Sequence, residues 1–379
     1  MIKDPEVDAP FPAPMPAVER PVESRRKHSR RKADHGFRAR WRTWSRSRRA
    51  LFVLGVIVAL LLTVALTGAL WLRALSHRLD ANIERFGDPF AAIPEAERPA
   101  PASGGAVNVL LLGSDSRISA GDPNQWQAGA QRTDAIMIAH LTADKDAGYV
   151  ISIPRDSWVD IPGHGNNKIN AAFSFGGPTL MVKTVEQLTD VRIDHVVIAD
   201  FEGFTRITDA LGGVTITVPQ TTGYKGSSFT AGTHQMDGET ALRYVRQRHN
   251  LPGGDFDRVK RQQNWIRAVF TKMISTGTLT SPSKLTESLD ALTKSVATDS
   301  GFTFGEIRGL AFSARSLRSS DVVFLTAPVK GTGRSPDGKQ SIVVLDRVAD
   351  AELWQAIAKD KLDTWVTEHK SDVLGRTVR

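Results

Sequence analysis

The sequence predicts an α/β domain built on one central sheet and preceded by a single membrane-spanning helix. From Val107 onward, apolar β-branched runs that are typical of strands alternate with amphipathic stretches of helical period, a pattern that predicts an α/β domain. An uncharged apolar run over residues 50–72 predicts the span. With 379 residues, the chain is long enough for two or three domains, or for one large domain with appendages.

The uncharged run fits a retained transmembrane helix better than a signal peptide. A helix over residues 50–72 is about 34 Å long, which matches a hydrocarbon core of about 30 Å. A signal peptide usually has a shorter apolar region that lies closer to the N-terminus. Arg and Lys crowd the stretch before the run, whereas only Arg73, Arg78 and Arg85 follow it. The positive-inside rule therefore places the N-terminus in the cytoplasm and everything after Leu72 outside.

The net charge of +8 belongs to the N-terminal tail. The first 49 residues hold 14 Lys and Arg against 6 Asp and Glu, and the rest of the chain holds 35 of each sign. The eight Trp residues are spread over the tail, the span, the loops and the last helices and do not form the pattern of a nucleic-acid groove, so the chain is not expected to bind nucleic acid. No cysteine is present, which excludes disulfides, thiolate metal sites and cysteine nucleophiles. Residues 1–49, rich in Pro and basic side chains, are predicted to be a disordered cytoplasmic tail whose charges set the topology or contact anionic lipid.

The remaining chain is predicted to contain an extracellular helix and linker over residues 73–104, a folded domain over 105–360 and a tail over 361–379. The Pro, Ala and Gly content of the linker is typical of a spacer. Strands are predicted from their apolar runs at 107–114, 135–142, 147–154, 194–201, 214–219 and 321–328. Helices are predicted from their amphipathic pattern near 178–188, 202–211, 237–245, 258–275, 283–294 and 348–359.

Two acidic residues stand beside predicted strands. Asp115 follows the first strand, which is apolar throughout as in a strand buried on both faces, and Asp134 precedes the second. In open α/β sheets, ligands collect at the carboxyl ends of strands. Taken alone, the sequence around Asp115 is better explained as a turn that caps a helix.

Cations concentrate in three separate places. The first place is Arg155, which follows the third strand and precedes Asp156, and the second is Lys168, the single cation of the loop that follows. The third group contains Arg243, Arg246, Arg248, Arg258, Lys260 and Arg261. Together with the two acidic residues, these groups predict a site for a highly charged anion with a metal ion, and surface salt bridges are the alternative.

Spacing sorts the third group. Arg246 and Arg248 share a face only in an extended chain, so the helix before them is expected to end near Arg246. Asp255, Arg258 and Gln262 are spaced by three and four, so they share one face at the start of the next helix. The other face of that helix is expected to carry the apolar residues Val259, Ile266, Val269 and Phe270.

Motifs of several common enzyme classes are absent from the sequence. It contains no GxSxG nucleophile elbow, no Walker loop and no HExxH helix. His140, His195 and His234 lack the spacing of metal ligands and are expected to be ordinary core or surface histidines.

Six ordered blocks resemble the LytR-CpsA-Psr family. They are NVLLLGSDSR, QRTDAIMIAHL, ISIPRDSWVDIPG, NKINAAFSFGGP, IDHVVIADFEGFTRITDALGGVTITVP and ALRYVRQRH followed by GDFDRVKRQQNWI, behind a single N-terminal span. The resemblance covers residues 105–275 closely and extends toward residue 360. One departure is Phe173, where Tyr is common in the family.

The resemblance implies an α/β/α sandwich with a central mixed sheet and an apolar tunnel for a lipid. The helix over residues 180–188, together with Phe201 and Phe204, supplies candidates for the tunnel lining, although core packing is the preferred explanation for these residues. The resemblance also implies a cell-wall transferase on the outer face of the membrane. Such enzymes move a glycopolymer from a polyprenyl pyrophosphate carrier to peptidoglycan.

The resemblance further implies the roles of individual residues. Asp115 and Asp134 match the positions that hold Mg²⁺. The phosphate-binding positions match Arg132, Arg155, Lys168, Arg246, Arg248, Arg258 and Gln262, with Asp255 as a further member of the motif. The catalytic set is thus expected to be Asp115, Arg132 and Arg155.

In the expected reaction, a muramic acid 6-hydroxyl attacks the sugar-linked phosphorus and polyprenyl phosphate leaves. Asp115 is the best candidate to remove the hydroxyl proton, unless it serves only as a metal ligand. Two alternatives remain open at this point. One is a pyrophosphatase that uses water as the nucleophile, and the other is a non-catalytic receptor for the lipid carrier that regulates envelope assembly.

Overall fold

The structure is a computed structural model that describes residues 44–114, 133–224, 227–247, 250–275, 277, 280–369 and 373–375. The helices in this part of the chain are α1 (Arg46–Asn82), α2 (Asn170–Thr189), α3 (Phe201–Ala210), α4 (Gly238–Arg246), α5 (Asp255–Met273), α6 (Pro282–Thr293), α7 (Phe304–Ser313), α8 (Arg347–Ala358) and α9 (Leu362–Glu368).

The strands before residue 200 are β1 (Glu84–Arg85), β2 (Val107–Ser114), β3 (Thr133–Leu141), β4 (Gly148–Ser152), β5 (Trp158–Ile161), β6 (Gly165–Lys168) and β7 (His195–Asp200). The later strands are β8 (Val214–Val218), β9 (Thr222–Tyr224), β10 (Ser227–Phe229), β11 (Gly232–Met236), β12 (Val296–Thr298), β13 (Val322–Thr326), β14 (Val329–Arg334) and β15 (Ser341–Leu345).

The chain divides after Trp71 into two compact units. Helix α1 is long and apolar enough to cross a membrane, and its residues 51–72 are exposed. The helix continues without a break from this apolar run to Asn82. The sequence had predicted a separate short helix after the span.

Seven strands form a central mixed sheet in the order β1-β12-β7-β2-β3-β4-β13. Strands β2 and β7 are parallel, as are β4 and β13, whereas β3 lies antiparallel between β2 and β4. Consequently β2, β4, β7 and β13 end at the same edge of the sheet, and β3 begins there. Strand β8, which the sequence assigned to the same sheet, instead pairs with β11 in a separate hairpin.

Helices cover both faces of the sheet, which confirms the predicted α/β/α sandwich. On one face, strand residues such as Leu110 and Ile138 pack with Phe173 and Val182 of α2 and with Trp354 of α8 in the largest core. The other face carries a smaller apolar cluster, in which the strand residues Met137, Val150 and Phe324 contact α5 through Ile266. A third cluster joins α3, α4, α5 and the β8–β11 hairpin.

The segment after α1 belongs to the folded domain and is not the spacer that its composition predicted. Phe86 and Ile93 are buried in the largest core, and β1 pairs with β12 as an edge strand of the central sheet. Arg98 forms a buried ion pair with Glu186 of α2. The Pro, Ala and Gly residues of this segment obscured the few apolar side chains that anchor it.

The domain also continues past the predicted boundary at residue 360. Leu362 and Trp365 of α9 are buried in the largest core. Val373 forms an isolated bridge with Leu325 of β13. The segment after α8 is thus part of the fold through at least these residues, and the predicted C-terminal tail is wrong over this range.

Candidate functional site

The strand ends form one edge of the sheet, where the sequence placed its acidic residues. Ser114 at the end of β2 lies beside Asp200 at the end of β7. Asp134 is the second residue of β3, which starts at this edge. Asp200 caps helix α3, because its Oδ1 accepts a hydrogen bond from the Gly203 N–H at 2.6 Å. Asp134 therefore lies at the edge where β2 and β7 end, which is the edge at which ligands collect in open α/β sheets.

A cavity of about 420 Å³ opens at this edge, between the sheet and helices α3 to α6. Its inner walls are apolar, with side chains from the sheet and from helices; they include Leu111, Ala135, Met137, Val197, Ala199, Phe201, Phe204, Ile207, Leu242 and Ile266. Polar and charged residues also line it, namely Ser114, Asp134, Asp200, Arg246, Arg258 and Gln262. The cavity thus suits a ligand with an apolar body and a charged head.

One face of helix α5 forms part of the cavity wall. Arg258, Gln262, Ile266 and Val269 recur at the spacing of one helix face, and all four line the cavity. The helix therefore begins with charge at the cavity wall and continues along the same face with apolar side chains. The prediction that Ile266 and Val269 lie opposite the charged residues was wrong, because positions four residues apart share a face.

Two guanidinium groups converge on Asp134. Arg155 donates a hydrogen bond to Asp134 Oδ1, and Arg258 Nη1 lies 3.9 Å from the same oxygen. Arg258 also binds Asp255, with 2.8 Å between Nη2 and Oδ1. The Arg258 side chain is only 2% exposed, whereas that of Asp134 is 20% exposed. Four predicted residues from three sequence blocks thus meet at one place, namely Asp134, Arg155, Asp255 and Arg258.

Lys168 joins this cluster through Asp156. Lys168 Nζ lies 3.1 Å from Asp156 Oδ1, and Arg155 Nε lies 3.6 Å from Asp156 Oδ2. Backbone hydrogen bonds hold the two segments together, because the Ile169 N–H donates to the Ser157 carbonyl at 2.8 Å. Asp156 was absent from the predicted site, although its place directly after Arg155 at a strand end could have identified it.

Arg246 is the last residue of α4, which confirms the predicted helix end. Its guanidinium carbon lies 4.3 Å from the ring centroid of Phe201. Arg246 is exposed and lines the cavity, and Phe201 and Phe204 contribute to its apolar wall, whereas the sequence had favoured core packing for them. The helix segment 180–188 was a wrong candidate, since Leu180 and Leu188 pack against the largest core on the opposite face of the sheet.

Two further cations of the predicted group, Arg243 and Arg261, have structural roles. Arg243 pairs with Glu239 on the surface of α4 at 2.6 Å. Arg261 is buried, and it donates to Gln247 Oε1 at 2.9 Å and to Thr222 Oγ1 at 3.0 Å. Burial lowers the pKa of Arg261. These contacts fix α5 against the end of α4, so Arg261 positions the helices that carry Arg246 and Arg258.

Gln263, which the sequence did not single out, attaches α5 to the sheet. Its Nε2 donates to Ser152 Oγ at 2.8 Å and to the Leu325 carbonyl at 2.6 Å. Both acceptors belong to strands that end at the site edge. No sequence signal distinguishes this Gln, because its importance comes from contacts more than 60 residues away along the chain.

Three predicted residues, Asp115, Arg132 and Arg248, lie outside the described residues. Among the described ones, no group of three or more His, Cys, Asp or Glu side chains is arranged to hold a metal ion. Magnesium, however, is commonly bound by one or two carboxylates together with substrate phosphates and water. Asp134 at the cavity fits that role.

The family follows from a comparison with family models. The LytR_cpsA_psr model matches residues 87–363. This region includes the strands of the central sheet from β2 to β13 and the helices from α2 to α8. The chain belongs to the LytR-CpsA-Psr family. The matched region starts before β2, in agreement with the buried segment around Phe86 and Ile93.

Curated and solved members of the LytR-CpsA-Psr family resemble this chain. The cell wall biosynthesis protein LcpA of Corynebacterium glutamicum is 32% identical over 283 residues, which cover 65% of this chain and 54% of LcpA. The polyisoprenyl-teichoic acid–peptidoglycan teichoic acid transferase TagU of Enterococcus faecalis is 31% identical over 82% of this chain and 96% of TagU. The solved structure of TagT bound to LI-WTA has 27% identity and a TM-score of 0.53 over 69% of this chain and 93% of TagT.

Proposed function

We propose that this chain transfers a glycopolymer, through a phospho-sugar linkage, from a polyprenyl pyrophosphate carrier to peptidoglycan. The observation that carries the proposal is the division of one cavity into an apolar interior and a charged part at the sheet edge. A polyprenyl pyrophosphate has the same division, with a long apolar chain and a charged head. Burial of the chain contributes roughly 25 cal/mol for each Å² removed from water.

The charged part of the cavity suits the pyrophosphate. A pyrophosphate diester carries two negative charges, and Arg155, Arg246 and Arg258 lie at or beside the cavity. Arginine binds phosphate oxygens through two parallel hydrogen bonds, which lysine does not reproduce. In the ligand complex, the guanidinium groups that now contact Asp134 would donate to phosphate oxygens. Lys168, which pairs with Asp156 beside Arg155, would add a further positive charge near the pyrophosphate.

The relatives support the choice of substrate class. TagU is named as a transferase of teichoic acid from a polyisoprenyl carrier to peptidoglycan, and the TagT structure contains LI-WTA. The aligned region spans about half of LcpA, 54% of its length.

In the proposed reaction, a hydroxyl oxygen of muramic acid forms a bond to the sugar-linked phosphorus. The bond from this phosphorus to the bridging oxygen breaks, and polyprenyl phosphate leaves with the bridging oxygen. Arg155 and Arg258 would stabilise the charge that develops on the phosphate oxygens. Asp115 remains the candidate to accept the hydroxyl proton. A magnesium ion held by Asp134 and Asp115 would further neutralise the pyrophosphate.

The acceptor determines the proposed location. Peptidoglycan lies outside the membrane, so we place the folded domain there and residues 1–49 in the cytoplasm, with α1 as the anchor. A reporter fused after Arg379 is expected to be active only outside the membrane. Activity of that fusion in the cytoplasm would contradict both the topology and the proposed reaction.

The test uses the full chain in detergent, a radiolabelled glycan on polyprenyl pyrophosphate, uncrosslinked peptidoglycan strands and Mg²⁺. We expect polymer attached to peptidoglycan and an equal amount of released polyprenyl phosphate, with both products reduced in Asp134→Asn and on chelation of the metal. Release without attachment would indicate a pyrophosphatase. Neither product, from folded protein with several donors, would favour a receptor and contradict the proposal.

A further inference from the structure

Helix α7 contacts the last turns of α1 through two polar pairs that run in opposite order along the two helices. At the start of α7, the Phe304 N–H donates to Asp80 Oδ1 at 3.0 Å. One turn later, Arg308 Nη1 donates to Ser76 Oγ at 3.2 Å. Each four-residue step forward along α7 thus corresponds to a four-residue step back along α1.

Apolar packing holds the two helices in this register. Phe304 is buried against Leu79 and Ile83, and Ile307 packs against the same cluster. Leu289 of α6 also contacts this cluster. Leu292 of α6 lines the cavity. Helix α6 therefore contacts α7 through Leu289 and the cavity through Leu292.

The register brings the end of α7 to the level at which the apolar run ends. Phe312 follows Phe304 by eight residues, which is a rise of about 12 Å. Eight residues before Asp80 on α1 is Leu72, the last residue of the uncharged run. Continued by the same step, the register of these two contacts assigns Phe312 to the height of Leu72 along α1, where the proposed membrane span would meet the interface.

The side chains around Phe312 suit such an interface. Phe312 is 68% exposed, and the guanidinium carbon of Arg315 lies 4.5 Å from its ring centroid. Arg308 and Arg318 add two further cations. In the part of the chain that the structure describes, no side-chain ion pair joins these three arginines to a carboxylate. The two nearby carboxylates accept backbone hydrogen bonds instead, Glu306 from the Thr303 N–H and Asp321 from the Arg318 N–H. An exposed aromatic ring among cations is the composition of a surface that contacts anionic lipid head groups.

We infer that residues 308–318 form a membrane-contact surface. In this surface, Phe312 enters the head-group layer, and Arg308, Arg315 and Arg318 bind the phosphates of anionic phospholipids. The inference rests on the proposed membrane anchor. It adds a second point of attachment beside α1, which fixes the orientation of the cavity toward the bilayer from which the lipid-linked substrate must be taken.

The absence of cysteine from the chain allows a direct test by spin labelling. Single-cysteine variants Leu62→Cys, Gly305→Cys and Phe312→Cys of the full chain are labelled with a nitroxide and placed in nanodiscs of phosphatidylcholine with or without phosphatidylglycerol. Gly305 is the matched control, because it lies two turns from Phe312 on the same face of α7, about 10 Å further from Leu72. The nitroxide is apolar and replaces the Phe312 ring.

The measurement is the accessibility of each label to oxygen relative to a water-soluble nickel complex. We expect this ratio to be several-fold higher at position 312 than at 305, and to be higher still when phosphatidylglycerol is present. The substitution of Arg308, Arg315 and Arg318 by Gln should remove the response to phosphatidylglycerol.

Each other outcome overturns a defined part of the account. A lipid-exposed label at position 62, with equal ratios at 312 and 305, would overturn the contact surface and leave the anchor intact. A water-exposed label at position 62 would overturn the anchor and the contact surface together. An oxygen-to-nickel accessibility ratio at position 312 that is high but independent of phosphatidylglycerol would overturn the binding of anionic head groups. A label at position 312 that is shielded from both reagents would overturn the membrane contact and indicate a protein partner instead.

Discussion

Arg98 and Glu186 form a buried ion pair that ties the segment before the first long strand to helix α2. Their Nη2 and Oε1 atoms are 2.7 Å apart, and the side chains are only 7% and 3% exposed. The same guanidinium donates to the Ile193 carbonyl at 2.6 Å. Glu186 Oε1 also accepts a hydrogen bond from the Ile193 N–H at 2.9 Å. The polar groups at this junction are thus well satisfied, as buried charges require.

We expect Glu186→Gln to lower the free energy of unfolding by about 3–5 kcal/mol, because it leaves the Arg98 charge buried without its partner. Chemical denaturation of the full chain in detergent measures this loss. The matched control is Glu95→Gln, which removes the exposed pair with Arg192 on the same segment. An equal effect of the two substitutions would show that the burial of the Arg98–Glu186 pair is not what makes it important.

A larger side chain in the apolar interior of the cavity should discriminate between donors by chain length. Ala199 of β7 lines the cavity. In Ala199→Phe, the added ring takes space that a long prenyl chain needs, so turnover of a long-chain donor should fall at least ten-fold while a short-chain donor is affected less. Transfer rates with both donors test this. Equal losses would place the lipid outside the cavity.

Arginine at the charged part of the cavity should not be replaceable by lysine. Loss of one charge-assisted contact costs roughly 1.5–3 kcal/mol, so Arg246→Lys or Arg258→Lys should reduce turnover about ten- to a hundred-fold. Arg246 is exposed, so its substitution should leave the melting temperature unchanged. Arg243→Lys, three residues earlier on α4, is the control and should retain full activity because Arg243 pairs with Glu239. Full activity of Arg246→Lys and Arg258→Lys would contradict their role in phosphate binding.

Stability should fall in mildly acidic solution because of His140. Its ring contacts Asn108 Oδ1 at 2.7 Å and Asp360 Oδ1 at 2.9 Å at the end of the sheet opposite the cavity. Burial lowers the pKa of His140 below its ordinary 6.5, although Asp360 opposes this shift. The unfolded chain therefore binds more protons, and the stabilising contribution is lost as the pH falls below 6.5.

The pH effect is measured as the difference in free energy of unfolding between pH 7.5 and pH 5.5. We expect His140→Gln, which cannot gain a charge, to lose less stability over this interval than the wild type. The same loss in both proteins would assign the pH dependence to other groups.

Local patterns predicted the elements that hold the site, but not every contact within it. The apolar run 107–114 is strand β2 as predicted, and the spacing of Asp255, Arg258 and Gln262 placed their shared face correctly. The same spacing extends to Ile266, yet its apolar character suggested a core position, because a cavity wall and a core have the same composition. An element as short as the two-residue strand β1 is too short to produce a periodic signal.

Contacts between distant segments were beyond the reach of the sequence pattern. Asp156 bridges Lys168 and Arg155, and Gln263 bonds to Ser152 and Leu325, through pairings that only the folded topology creates. The resemblance to the LytR-CpsA-Psr family supplied the roles of the charged residues, which spacing alone left open between anion binding and surface salt bridges.

The central claim is that one cavity holds the prenyl chain while its charged part holds the pyrophosphate. The most direct measurement is a crystal structure of the protein with a polyprenyl pyrophosphate sugar whose bridging oxygen is replaced by a methylene group. We predict phosphate oxygens at about 3 Å from the guanidinium nitrogens of Arg155 and Arg258, with the chain running between Phe204 and Ile266. A pyrophosphate bound away from Arg258, or a prenyl chain outside the cavity, would contradict the account.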